Sequence, residues 1–243
     1  MSYEVGHTRA VRTDLSDALS RVWLLEGLSE EELGRLSRLA RTKIYKPREV
    51  IVRKGDAAEE VFVLLRGRAK VGAPGAEGAD ATMNLMGRGE VFGEIAILDG
   101  QPRSATVTAL EECEIAVVDK PAFNSVLASS PSIAVKLLGV LAGRVRELTT
   151  RIEDRAFLDV SARLAKELLR LAKHHGSASG SAARIELRLS QQELGDLIGA
   201  TRESVNKQLR EWTRTGILKQ ERDRTEILDL AALTAAAEGR EDD

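Results

Sequence analysis

Residues 189–218 read LSQQELGDLIGATRESVNKQLREWTRTGIL, which spells two short amphipathic helices separated by a glycine. Ser190 followed three residues later by Glu193 is a capping box, and Leu194, Leu197 and Ile198 fall on one face of the helix it opens. Gly199 stands where a sharp turn is needed. Thr201 caps a second helix whose inward positions are Val205, Leu209 and Trp212. Two helices joined by a short turn containing glycine have helix-turn-helix geometry. The residues that follow, GILKQERDRTEILDL (216–230), read as two short strands around a charged turn, the outline of a wing.

The outward face of the second helix presents Arg202, Glu203, Asn206, Lys207 and Arg210 near its start. Arg and Lys suit the O6/N7 edge of guanine, and Glu can accept from N4 of cytosine. Arg214, Lys219, Arg222 and Arg224 extend positive charge toward a phosphate backbone. Charge alone would fit a solvated helix face. The caps, the glycine turn, the apolar spacing and the wing together favour a double-stranded DNA reader.

Upstream the texture changes in stages. A helical preamble, LSDALSRVWLLEGLSEEELGRLSRLA (15–40), carries a second capping box at Ser29 and Glu32, and the residues before it lack periodicity. From Lys43 to Val118 short apolar runs alternate with turns: KIY, EVIVRKGD, EVFVLLRGRAKV, ATMNLM, EVFGEIAIL, SATVTA and CEIAVVD. Many short strands at close spacing predict an antiparallel barrel or sandwich, with GAPGAEGAD as a hairpin tip. A long helix is expected over 132–158. Its Ala134, Leu138, Leu141, Val145, Leu148 and Ile152 are spaced as the a/d seam of a two-stranded coiled coil, which predicts a homodimer. A second helix, VSARLAKELLRLAKHH, follows with Asp159 as its N-cap, and GSASGSAA reads as a flexible turn. The expected domains are 1–131, the long helix 132–158, and 159–243.

The 243 residues, 43% hydrophobic and 30% charged with a net charge of −2, fit a globular protein with its own core. The lone Cys113 excludes a disulfide framework or a multi-cysteine metal site within one chain, and reads as a buried inert thiol. The N-terminus lacks an apolar stretch of signal-peptide length. No apolar run reaches the ~18 residues of a membrane span, so the chain is read as cytoplasmic with no membrane partner. No nucleophile–base pair or metal set stands at usable spacing, which argues against an enzyme.

One stretch resists a purely structural reading. Residues 93–109, GEIAILDGQPRSATVTA, set Glu94, Arg103 and Ser104 among small and aliphatic side chains. Burying charge costs free energy unless something neutralises it.

Taken together, these segments resemble the bacterial family of the cyclic AMP receptor protein and the fumarate–nitrate regulator (CRP/FNR), in order and over nearly the whole chain. AFLDVSARLAKELL (156–169) and GATRESVNKQL (199–209) carry the likeness most clearly. It implies an α+β protein: an N-terminal antiparallel β-barrel, a jelly-roll domain for cyclic nucleotides, then a long dimerisation helix and a C-terminal winged helix-turn-helix. Arg202 and Glu203 stand where the family reads bases, and Lys207 stands where the enteric receptor has Arg. Ser204 and Gln192 match positions that contact phosphate. Asp159 resembles the family hinge, and RNA polymerase is a partner by resemblance.

The family divides by what its barrel senses. Its iron–sulfur branch needs a cysteine cluster, and its haem-sensing members use an axial His in the barrel, whereas His7, His174 and His175 lie outside it. Cyclic nucleotides, another small anion, or no ligand remain. FGEIA followed by PRSATV resembles the phosphate cassette of cyclic-nucleotide domains, marking Gly93, Glu94, Ile95, Ala96, Arg103, Ser104 and Ala105. In that reading Arg103 and Ser104 take the cyclic phosphate, Glu94 takes a ribose hydroxyl, and Gly93 lets backbone approach. The alternative is a structural Glu94–Arg103 ion pair. Arg144 aligns with an arginine supporting the ribose-binding Glu, and Thr149 with a hydroxyl that the partner subunit offers to adenine. The preceding family Thr is Leu148 here, and Thr150 is a neighbouring substitute.

The expected function is a homodimeric transcription regulator responding to a cyclic nucleotide, first of all cyclic AMP, as an allosteric ligand rather than a cofactor. Two alternatives stand beside it. One is the same DNA-binding regulator answering to cyclic GMP, cyclic di-GMP or no ligand. The other is a nucleotide-binding module acting through protein partners.

Overall fold

The computed structural model describes residues 15–74, 80–179, 182–221 and 224–239. The aperiodic N-terminal arm with His7, the tip of the expected 72–80 hairpin, and Arg222 lie outside the described residues. The chain divides into two compact units, Met1–Ala142 and Gly143–Asp243.

The first unit opens with helical residues 15–20 (α1) and helix α2 (Glu30–Leu39). Both halves of the Ser29–Glu32 capping box form at the start of α2. Eight strands follow: β1 (Arg41–Tyr45), β2 (Val50–Val52), β3 (Glu60–Arg66), β4 (Ala69–Pro74), β5 (Asp80–Met86), β6 (Val91–Phe92), β7 (Thr106–Ala109) and β8 (Cys113–Asp119). They form two antiparallel sheets, ordered β1-β8-β3-β6 and β2-β7-β4-β5. The arrangement is jelly-roll-like, and the expected barrel is not closed, because among the described residues no ladder joins the edges of one sheet to the other.

The near-continuous apolar runs of β3 and β8 follow from burial on both faces. Phe62, Leu64, Ile115 and Val117 face a core shared with Tyr45, Val52, Met86 and Val107 from both sheets. Their alternating neighbours Val61, Val63, Ala116 and Val118 face a second core with Leu19, Leu36, Phe123, Ile133 and Leu137. Cys113 lies fully buried in the first of these, its Sγ donating to the Arg68 carbonyl, and burial pushes its thiol pKa up.

Two further helices in this region differ from the sequence reading. EVFGEIAIL is not one strand: β6 stops at Phe92, Gly93 adopts φ +81°, and residues Glu94–Asp99 form helix α3, ended by Gly100 at φ +69°. The run is apolar enough for a strand, but adjacent Ala96 and Ile97 are both buried while Ile95 and Leu98 are exposed, which is a helical pattern. Helix α4 (Lys120–Ser129), capped by Asp119, precedes the long helix and carries no strong period to announce it.

Helix α5 (Pro131–Phe157) begins with proline at its first position, where a missing N–H costs nothing. On this helix Leu138, Val145, Leu148 and Ile152 are 65%, 63%, 55% and 69% exposed.

In the second unit, α6 (Val160–His175) starts at Asp159, whose side chain accepts from Ala162 N at 2.8 Å. Helices α7 (Gln191–Ile198), α8 (Arg202–Arg214) and α9 (Leu230–Ala237) contact one another or α6. A four-stranded antiparallel sheet, ordered β11-β12-β10-β9, completes the unit. Strands β11 (Leu218–Glu221) and β12 (Arg224–Ile227) are the expected wing. The described residues of GSASGSAA are strand rather than turn: β9 (Gly176–Ser179) pairs antiparallel with β10 (Ala182–Ile185), which also joins β12, while Gly180 and Ser181 lie outside the described residues. Small residues tolerate either conformation, and pairing with β12, more than forty residues away in sequence, decides between them.

Candidate functional site

The charged residues of 93–109 come together in the first unit because two left-handed glycines bend the chain around α3. A Cβ on Gly93 would lie 2.6 Å from Arg103 Nη1 and 3.1 Å from Phe62 Cδ2, so only glycine fits there. Arg103, 6% exposed, donates from Nη1 to the Gly93 carbonyl at 2.8 Å and from Nη2 to the Glu60 carbonyl at 2.7 Å. Its guanidinium also lies over the Phe62 ring, 5.3 Å from the centroid. The backbone at Arg103 is pinned too: its N–H donates to the Asp56 carbonyl, and its own carbonyl accepts from Gly55 N, both at 2.9 Å.

Burial lowers the Arg103 pKa, while the charges of Glu60, Asp56, Glu94 and Glu59 raise it again. A guanidinium ordinarily titrates so far above neutrality that it keeps its charge. Glu94 is 1% exposed and its Oε2 receives no hydrogen bond. Ala96 is buried, Ile95 and Ser104 are exposed, and Ala105 is half-buried. The result is a rigid cationic group with N–H donors beyond the two engaged by carbonyls, a carboxylate nearby in sequence and charge, and a glycine that keeps the approach narrow. That set can hold a small anion bearing hydroxyl groups.

Sequence reasoning missed Glu60 and Phe62, which position Arg103. Glu60 acts through its backbone carbonyl, for which no side-chain signal exists. Arg144, Thr149 and Thr150 lie on α5 in the second unit, where Thr149 Oγ1 donates to the Val145 carbonyl at 3.0 Å.

The second unit carries the other candidate surface. Ser190 and Glu193 form both halves of the capping box on α7, and Gly199 closes that helix at φ +66°. Thr201 Oγ1 accepts from Ser204 N at 3.2 Å and starts α8. Val205 and Leu209 are fully buried and Trp212 is 5% exposed, which orients the opposite face of α8 outward. On it Arg202, Glu203, Lys207 and Arg210 are exposed, and the three cations have no hydrogen-bond or ion-pair partner among the described residues.

Asn206 is half-buried and accepts from Gln191 Nε2 at 3.2 Å, tying α7 to α8. Gln192 is exposed and donates to Asp196 Oδ1 at 2.9 Å. Farther along, Arg214 pairs with Glu211 and Lys219 with Glu221, so each of these two exposed cations has a carboxylate beside it.

Comparison with known proteins matches a family model to each of the two regions. Residues 42–130 match the family described as Cyclic nucleotide-binding domain, and residues 162–236 the family described as Crp-like helix-turn-helix domain. A CRP-like cAMP-activated global transcriptional regulator of Mycobacterium tuberculosis is 30% identical over 207 residues, covering 85% of this chain and 92% of that protein. Among solved structures, a CRP/FNR-family transcriptional regulator from Thermus thermophilus is similar with a TM-score of 0.66 and 25% identity, covering 83% of this chain and 100% of the other. The c-di-GMP responsive global regulator CLP of Xanthomonas campestris shares the fold, with a TM-score of 0.70, 22% identity and coverage of 83% and 99%. The chain belongs to the CRP/FNR family, as a cyclic-nucleotide-responsive, DNA-binding transcription regulator and not an enzyme.

Proposed function

We propose that the chain acts as a homodimer whose allosteric ligand is cyclic AMP. The observation that carries the ligand reading is the buried Arg103, held by the Gly93 and Glu60 carbonyls beside a glycine that no other residue can replace. A fixed, desolvated guanidinium is suited to the single negative charge of a cyclic phosphate, with Ser104 adding a hydroxyl and Glu94 accepting from the ribose. By the family resemblance Arg144 has the role of supporting the ribose-binding Glu, and Thr149 of the partner subunit, or Thr150, that of meeting the base. The cyclic-AMP-activated relative from Mycobacterium tuberculosis supports this ligand.

The exposed Leu138, Val145, Leu148 and Ile152 on α5 support a two-stranded seam over 132–158, since a stripe of that size left in water is costly. Each protomer then comprises a sensor domain (1–131), the seam helix, and a reader domain (159–243) hinged at Asp159. Ligand selects the state in which the two α8 helices fit successive major grooves of a two-fold-symmetric duplex. Arg202, Glu203 and Lys207 read bases there, with Asn206 and Arg210 beside them. Thr201, Ser204 and Gln192 face the backbone. RNA polymerase is the further partner. No described helix is long and apolar enough to cross a membrane alone, and we place the protein in the cytoplasm.

Calorimetric titration with cyclic AMP, cyclic GMP and cyclic di-GMP tests the ligand: the strongest saturable heat is expected with cyclic AMP, and none with any of the three removes the claim. Gel shift on a symmetric site tests the reader. Arg202→Ala is expected to cost about 1–3 kcal/mol of DNA affinity, and insensitivity to that change would leave only a module acting through protein contacts.

A further inference from the structure

Within the second unit, a cavity of about 250 Å³ lies between the C-terminal half of α5, the face of α6 and the end of α7. Five basic and three acidic side chains line it, a surplus of two positive charges. Three of the cations are already engaged. Arg151 pairs with Glu147 at 2.8 Å, Arg170 with Glu167 at 2.6 Å, and Lys166 with Asp154 at 2.6 Å. The surplus therefore resides on Arg155 and Arg163, neither of which has a hydrogen bond or ion pair among the described residues. Arg163 is half-buried, and its Nε is fully shielded from solvent without an acceptor. A shielded guanidinium N–H without a partner is expensive unless an acceptor arrives. Leu197 and Ile198, both buried, supply an apolar wall.

We propose that this cavity is a second ligand site, which takes a small phosphomonoester bearing an apolar group. A phosphomonoester carries close to two negative charges near neutral pH, matching the surplus, and offers acceptors to both guanidinium groups. Its organic part rests on Leu197 and Ile198.

At about 3.6 residues per turn, Glu147 and Asp154 lie more than a quarter of a turn around α5 from Val145, Leu148 and Ile152, whereas Arg155, seven residues after Leu148, continues the face of the seam. The cavity therefore borders the seam at Arg155 and turns away from it at Glu147 and Asp154. Occupancy would link α5 and α6 to the end of α7, one turn away from α8, and so change DNA affinity. That consequence rests on the DNA-reading role of α8, whereas occupancy itself does not.

The test is calorimetry on the full chain with phenyl phosphate and with inorganic phosphate. Phenyl phosphate is expected to bind saturably, one per chain, and to do so equally in Arg103→Gln, which alters the sensor site alone. Arg155→Gln and Arg163→Gln are each expected to weaken it tenfold or more, with Arg163→Lys retaining more affinity than Arg163→Gln. Should Arg163→Gln fail to fold by circular dichroism, the exposed Arg155→Gln carries the test. Absence of saturable binding overturns the proposal, as does binding lost in Arg103→Gln but kept in both cavity variants. Inorganic phosphate binding as tightly as phenyl phosphate overturns the assigned ligand class. A gel shift with and without phenyl phosphate then reads the DNA consequence, so a failure of the reader role and a failure of the cavity site give different results.

Discussion

Each unit of the molecule places an arginine against a left-handed glycine, and the two contacts differ in what holds the arginine. A Cβ on Gly93 would lie 2.6 Å from Arg103 Nη1, and a Cβ on Gly199 would lie 2.8 Å from Arg155 Nε. Arg103 is buried, anchored by two carbonyls and an aromatic ring, so its position is set before any ligand arrives. Arg155 is exposed and has no such anchors among the described residues. The same pair of residue types thus makes a rigid receptor in one unit and an adjustable contact beside the helix-turn-helix in the other. Rigidity favours tight recognition of a small anion, because little ordering entropy is lost on binding.

The largest expected effect tests the anchored arginine. Arg103→Gln should weaken cyclic-nucleotide binding at least thirtyfold, since it removes one partner from a buried charged contact. Arg155→Gln should leave that binding unchanged when both are titrated side by side. Next comes a pair of glycine substitutions. Gly93→Ala meets a guanidinium that cannot move and the Phe62 ring in addition, so a loss of about 3 kcal/mol or more is expected in denaturant unfolding. Gly199→Ala meets the end of a flexible exposed side chain, and should cost about 1–2 kcal/mol from the left-handed backbone alone. Equal losses at the two sites would erase the distinction between them.

The capping boxes allow a finer comparison. Ser29→Ala and Ser190→Ala should each cost about 1 kcal/mol, one in each unit, measured as separate shifts in thermal unfolding. The smallest effects concern acid. Glu32 titrates below its ordinary value because Ser130 and Ser29 donate to it. Its contribution is therefore present above the ordinary carboxylate pKa and is lost as pH falls through the lowered folded value. Glu211 is lowered by its hydrogen bond and charge contact with Arg214, and follows the same sign. Neutral donors do not screen, so the Glu32 contribution should persist in molar salt while that of Glu211 fades.

How far the sequence foretells these features depends on how local their cause is. The capping boxes at Ser29 and Ser190, the Asp159 cap and the inward Val205, Leu209 and Trp212 were all legible, because each rests on residues within two turns of one another. The wing strands were legible from their apolar ends and charged turn. Helix α3 was not, because GEIAIL is apolar enough for a strand and only the two positive-φ glycines around it end the pairing. The β9–β10 pair was not, because its small residues favour nothing until β12 offers a partner.

At the candidate site the same division holds. The residue types of the cassette, Gly93, Glu94, Arg103 and Ser104, and those of the reading helix, Arg202, Glu203 and Lys207, stand in the sequence, because chemistry demands particular side chains at particular spacings. What orients them came only with tertiary structure: the Glu60 carbonyl under Arg103, the Phe62 ring beside it, and the Gln191 amide on Asn206. Backbone carbonyls belong to every residue and leave no mark in a sequence. Their direction is decided when distant strands and helices pack, and for that reason the anchoring of Arg103 and the unpaired state of Arg163 belong to the fold alone.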